Sequence, residues 1–161
     1  MTSSNILISR KEQILMLCWI FFNLKRFEKN STGPYRNYLN IDNIKVPKIF
    51  WKVRRRIELR EKLNNYKSET QLGNLISVIH NDGFIHPHTD PSEEGYRHVR
   101  YNLFLSLPFV GGLPIYDMNT IEVKEREYLK CDVSKIHMCQ KVKYFKPRVI
   151  VSYGFLVSVN R

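Results

Sequence analysis

The stretch GFIHPHTDPSEEG, residues 83 to 95, sets His86, His88 and Asp90 at alternating positions behind an apolar run. In an extended segment the side chains at i, i+2 and i+4 point to one side. The spacing therefore groups three potential metal ligands at a strand end. A polar loop built on the turn residues Pro87, Pro91 and Ser92 is the plainer account of the same letters. Downstream residues favour the ligands. His137 follows Asp90 by 47 positions, in KIHMC, and Arg148 lies 11 positions further on, at the head of the last apolar run. His-x-Asp with a distant His is the donor set of a two-histidine, one-carboxylate site for non-haem Fe(II). Such a site keeps adjacent coordination positions open for a chelating cosubstrate and dioxygen, which four protein ligands would close.

Arg148 adds a permanently charged fork, suited to anchoring the far carboxylate of a dicarboxylate cosubstrate. Period-two alternation puts Ser152 on the same face of RVIVSYG, so its hydroxyl is expected at the same carboxylate. In RYNLFLS, Arg100 and Asn102 alternate with Tyr101, Leu103 and Leu105. The polar pair is expected to point inward, to cosubstrate or substrate.

These residues need a scaffold of strands. From residue 74 the chain runs through NLISVIH, HVRYNLFLSLP, LPIYD, TIEVK, EYLKCDV, KVKYF and RVIVSYGFLVSV, separated by turn chemistry at NDG, VGG, DMN and KP. That many short strands with no helical pattern between them imply a β-sandwich or barrel. Before it, VPKIFWKVRRRIELREKLNNY reads as a helix, with Pro47 in the first turn and Ile49, Phe50, Val53, Ile57 and Leu63 near helical spacing. The Asn-rich residues 30 to 43 read as the main loop, and Asn30 heads a lone sequon short enough to arise by chance. ILMLCWIFFNL, residues 14 to 24, is too short to span a bilayer and is followed by Lys25 and Arg26 instead of a small-residue cleavage site, so it reads as a buried helix or strand of the domain, with a signal or anchor segment as the alternative.

A chain of 161 residues suits a single domain: a basic, partly helical part over residues 1–70 and a β core over 71–161 that carries the metal site. The net charge of +11 is uneven. Residues 1 to 70 hold 15 Lys and Arg against 6 Asp and Glu, and the remainder holds 11 against 9. A basic half leaves room for an acidic partner such as nucleic acid, although no nucleic-acid-binding motif accompanies it. Three cysteines without a C-x-x-C pair read as free thiols of a reducing, cytoplasmic compartment.

Residues 74 to 158 resemble the double-stranded β-helix core of the Fe(II)/2-oxoglutarate-dependent oxygenases. The likeness rests on HTD at 88 to 90, His137, and Arg148 within KPRVIVSYGF. RYNLFLSLPFVGGLPIY also looks like the strand-turn-strand that follows the first ligand pair in the prolyl and aspartyl hydroxylases. The resemblance implies a mainly β jelly roll, a cupin-like barrel, with N-terminal helices. It implies Fe(II) on His88, Asp90 and His137, 2-oxoglutarate on Arg148, dioxygen as co-reactant, and hydroxylation of a peptidyl side chain or small molecule, with 2-oxoglutarate converted to succinate. The family often places a serine two residues after the arginine, whereas here Ser152 is four residues on. Tyr96, Arg97 and Tyr116 are the expected substrate contacts. Two alternatives stay open. His86, His88 and Glu93 also resemble the first metal motif of the cupins, with isomerase or sugar-binding roles, and the arginine run at 54 to 56 would suit a basic binding module without catalysis.

Overall fold

The computed structural model describes residues 6–29 and 32–159, so the sequon asparagine Asn30 lies outside the described residues. Helix α1 (Arg10–Phe22) begins at a capping box. The Glu12 amide donates to the Ser9 hydroxyl at 3.2 Å, and the Ser9 amide donates back to the Glu12 carboxylate at 2.9 Å. The same carboxylate receives Arg56 of helix α2 (Lys48–Arg60) at 2.6 Å, which ties the helices together. Helix α2 starts directly after Pro47 and buries Phe50, Val53 and Ile57 on one stripe. It stops short of the expected 46–66 because Lys62 takes a left-handed φ of 51° and Tyr66 opens a strand.

Among the described residues, seven strands form a larger antiparallel sheet. Its order is β1 (Glu28–Lys29), β2 (Arg36–Asn40), β4 (Leu75–Ile79), β11 (Arg148–Ser158), β6 (Tyr96–Ser106) and β9 (Tyr128–Asp132), with β3 (Tyr66–Ser68) also paired to β11. Four strands form a smaller sheet: β5 (Ile85–His88), β10 (His137–Cys139), β7 (Pro114–Tyr116) and β8 (Asn119–Thr120). Residues of both sheets line one cavity, so the sheets face each other. The larger sheet is buried on both sides. Tyr101, Leu103, Val151, Tyr153 and Phe155 pack against Met16, Ile20, Phe50, Val53 and Ile57 of the helices. Each such fully buried side chain contributes about 1.5–3 kcal/mol. Residues at the alternate positions, among them Arg100, Asn102, Arg148 and Ser152, face the cavity.

Several expectations need correction. The Asn-rich loop contains β2, which pairs with β4 from Arg36↔Ile79 to Asn40↔Leu75, so the N-terminal part completes the sheet as well as covering it. TIEVK yields only the end of β8, and residues 141 to 145 yield a single bridge between Lys143 and Val110. Strand propensity without a neighbouring edge to pair with does not make a strand. Residues 14 to 24 belong mostly to α1, but only one side of it is buried: Ile14, Leu15 and Phe22 are 51%, 54% and 85% exposed. Among the described residues, no helix is long and apolar enough to cross a membrane.

Candidate metal centre and anion pocket

Strands β5 and β10 bring the two histidines face to face. His88 and His137 are direct cross-strand partners, with ring centroids 4.2 Å apart. Asp90 lies just beyond the end of β5, its amide donating to the Val133 carbonyl at 2.8 Å. Its carboxylate oxygens come within 3.6 Å of His88 Nε2 and 4.0 Å of His137 Nε2. Ligand atoms of all three residues lie within 4.8 Å of one another, a group that could hold one metal ion.

The tautomers favour ligation. His88 Nδ1 lies 2.8 Å from the His86 carbonyl and His137 Nδ1 lies 3.0 Å from the Lys135 carbonyl. A carbonyl only accepts, so each Nδ1 carries the proton and each Nε2 offers a lone pair toward Asp90. Burial, reinforced by the neighbouring His88, lowers the His137 pKa and keeps its imidazole neutral, the ligating form. Tyr116 stacks on the His137 ring at 5.7 Å with an interplanar angle of 18°. Two imidazoles and one carboxylate suit a divalent first-row metal, and three ligands leave positions open.

The alternation expected for His86 fails at one place. Register runs from His137↔His88 to Cys139↔Ile85, so three steps on β5 oppose two on β10. This bulge shifts the side-chain phase between His86 and His88. His86 is exposed and sits edge-on to Phe84 at 4.8 Å, while Glu93 pairs with Lys67. Neither joins the His88–Asp90–His137 group, and the cupin motif is not assembled.

The triad opens onto a cavity of about 580 Å³ whose wall includes Arg148, Arg36, Asn102 and Tyr116. Arg148 is 2% exposed, its guanidinium 5.4 Å from the Phe104 ring centre, and its Nε and Nη1 have no hydrogen-bond partner. A buried guanidinium with orphaned donors is costly unless an anion meets it. A dicarboxylate reaching from the triad would do so.

Arg100 and Ser152 also face the cavity, but they bind each other. Arg100 donates from Nε to Ser152 Oγ at 2.8 Å, from Nη1 to Glu69 at 3.1 Å and from Nη2 to the Gly73 carbonyl at 2.7 Å. Glu69 in turn accepts the backbone amides of Gln71, Leu72 and Gly73. The group is a clamp on the 69–73 turn, whose Gln71 and Leu72 border the cavity. Gly154 permits it, since a Cβ there would meet Arg100 Nη1 at 2.9 Å. Asn102 donates to the buried Cys131 thiol at 3.4 Å and keeps an unpartnered Oδ1. Tyr96 lies under Lys67, and neither it nor Arg97 lines the cavity. His98 is buried and bonds the Pro91 carbonyl at 2.9 Å, which steadies the segment after Asp90.

The basic run on α2 is occupied within the protein. Arg54 pairs with Glu58 at 3.4 Å and lies over Phe155, Arg55 pairs with Glu58 at 3.0 Å, and Arg56 holds Glu12. Sequence reasoning missed Arg36 and Glu69. Arg36 fell in a presumed loop, and Glu69 carries no motif.

No protein-family model matches the chain, and no curated protein matches it by sequence. Solved structures do match its fold. HygX from Streptomyces hygroscopicus, with nickel, 2-oxoglutarate and hygromycin B bound, superposes with a TM-score of 0.71 at 9% identity, over 96% of this chain and 81% of that one. The viral collagen prolyl hydroxylase vCPH of Paramecium Bursaria Chlorella virus-1, as a 2-oxoglutarate complex, gives 0.62 at 16% identity, over 96% and 93%. A Pseudomonas putida prolyl-4-hydroxylase gives 0.67 at 11% identity, over 95% and 89%. The chain has the double-stranded β-helix fold of these proteins.

Proposed function

We propose that this chain is a non-haem Fe(II)/2-oxoglutarate-dependent dioxygenase that hydroxylates a peptidyl side chain or small molecule. The observation that carries the reading is the pairing, in one cavity, of the His88–Asp90–His137 group with the orphaned donors of Arg148. A metal site alone has many uses, and a buried arginine alone has many partners. Together they fit a ligand that is a metal chelate at one end and a carboxylate at the other. The fold shared with proteins solved with 2-oxoglutarate supports the same assignment.

Bound Fe(II) would supply dioxygen activation coupled to decarboxylation of the cosubstrate. The chain's residues supply the rest. His88, Asp90 and His137 hold the ion through two neutral imidazoles and one carboxylate, with each Nδ1 proton fixed on a backbone carbonyl. Tyr116 braces the His137 ring by stacking. Arg148 orients the cosubstrate from its far end through its planar guanidinium fork. Apolar Ile85, Ile150 and Val133 border the cavity and limit water around the reacting groups.

The test is metal and cosubstrate binding with product analysis. Metal-stripped protein reloaded with Fe(II) should convert 2-oxoglutarate to succinate. His88→Ala, Asp90→Ala and His137→Ala should each abolish tight metal binding, while His86→Ala should not. Retention of metal by Asp90→Ala would overturn the assignment.

A further inference from the structure

A second guanidinium stands in the cavity without an acidic partner. Arg36 of β2 pairs in register with Ile79, and Ile79 pairs with Arg148. Both arginines therefore occupy one row of the larger sheet, on one face, two strands or about 10 Å apart. Both line the cavity. Arg36 donates from Nε to Ser77 Oγ at 2.9 Å and from Nη1 to the Thr32 hydroxyl, which are neutral partners. Among the described residues, no carboxylate forms an ion pair with Arg36 or Arg148, whereas Arg100 has Glu69. The strand lead-in is fixed against β5. Gly33 lies so close to the Phe84 carbonyl that no side chain would fit, and the His86 amide donates to the Thr32 carbonyl at 3.0 Å.

Two like charges on one wall repel. Burial, then the charges of Arg148 and Arg100, pull the Arg36 pKa down to about 10. The one nearby carboxylate that offsets them is Asp90, and the proposed metal would draw on its charge. The wall is thus arranged for an anion that reaches both guanidiniums. The two hydroxyls hold the Arg36 head on Nε and Nη1, which leaves Nη2 for that anion.

We infer that Arg36 is the second arm of the anion anchor: with Arg148 it receives the distal carboxylate of the cosubstrate, and so makes the cavity selective for dicarboxylates. This rests on the function proposed above. The sequence signal for it is faint, a lone arginine in an Asn-rich stretch, because its neighbours come from β4 and β11.

The experiment is anaerobic calorimetry on Mn(II)-loaded protein, titrating 2-oxoglutarate and, separately, the monocarboxylate 2-oxopentanoate. The wild type should prefer 2-oxoglutarate. In Arg36→Gln, 2-oxoglutarate binding should weaken about ten- to a hundredfold, as for a lost charge-assisted contact, with 2-oxopentanoate and Mn(II) affinities unchanged. Arg36→Lys, which keeps the charge but not the fork, carries the test if the glutamine variant does not fold, and its preference should also fall. An undiminished preference in the folded Arg36 variant, beside a lost preference in Arg148→Gln, would overturn the role of Arg36 alone. Failure of the wild type to bind 2-oxoglutarate would overturn the underlying function as well.

Discussion

Arg100→Met should unfold the protein more easily while leaving cosubstrate binding intact. Arg100 is 4% exposed and makes three bonds of 2.7 to 3.1 Å, to Ser152, Glu69 and Gly73. Methionine restores most of the stem's volume but strands the Glu69 carboxylate, itself 4% exposed, with backbone amides and His98 Nε2 at 4.0 Å in place of the guanidinium. Removing one partner of a buried pair costs about 3–5 kcal/mol. For a chain of this size that lowers the melting temperature by roughly 6–20 °C. Urea unfolding at neutral pH, followed by intrinsic fluorescence, reads the loss as a lower midpoint at constant slope. The double variant Arg100→Met with Glu69→Met should recover part of it, because no unpaired charge then remains. Calorimetry on the Mn(II)-loaded single variant should give near wild-type 2-oxoglutarate affinity. An unchanged urea midpoint would refute the clamp. So would a folded variant that has lost 2-oxoglutarate, which would return Arg100 to the cosubstrate site.

Arg148 should behave in the opposite way. Arg148→Ala loses a contact worth about 1.5–3 kcal/mol, so 2-oxoglutarate should bind roughly tenfold to over a hundredfold more weakly, with metal affinity unchanged and Arg148→Lys falling between. Equal affinities in calorimetry for all three forms would remove Arg148 from the anchor. Glu12 should make stability pH-dependent. Its pKa falls from an ordinary 4.5 to about 2, chiefly through the Arg56 hydrogen bond. A depressed carboxylate contributes stability that is present above its unfolded pKa and lost as pH falls through the folded one. The gap in thermal stability between wild type and Glu12→Gln should therefore be full above pH 4.5 and gone by about pH 2.

The candidate metal group was legible because its signals are local. His-x-Asp announces itself within three residues, and Arg100, Asn102, Arg148 and Ser152, which period two sets on alternate positions of β6 and β11, line the cavity. Their partners were not legible. That Arg100 binds Glu69 and Ser152 depends on a turn 31 residues upstream and a strand 52 residues downstream. The same limit hid β2. Its letters, RNYLN, have modest strand propensity, and it is a strand because β4 offers an edge to pair with. His86 was misplaced for a different reason. A bulge in β5 changes phase between His86 and His88, and nothing in HPH announces it except the proline.

The larger sheet sets an apolar face against the helices and a more polar one toward the cavity. Strands β2, β4, β6 and β11 turn one face to the helices, and the buried members of that face are apolar or, like Tyr153, hydrogen-bonded: its hydroxyl donates to the Phe50 carbonyl at 2.8 Å. The unpartnered buried atoms of Arg148, Asn102 and Tyr116 belong to residues that line the cavity, whereas those of Arg54, Asn74 and His98 lie outside its lining. Buried polar groups carry a desolvation cost of about 1–3 kcal/mol each when unmatched, which a ligand matching the cavity-lining groups would offset. Under the proposed function, such a ligand would set a carboxylate against the orphaned donors of Arg148 and a chelating group near His88, Asp90 and His137.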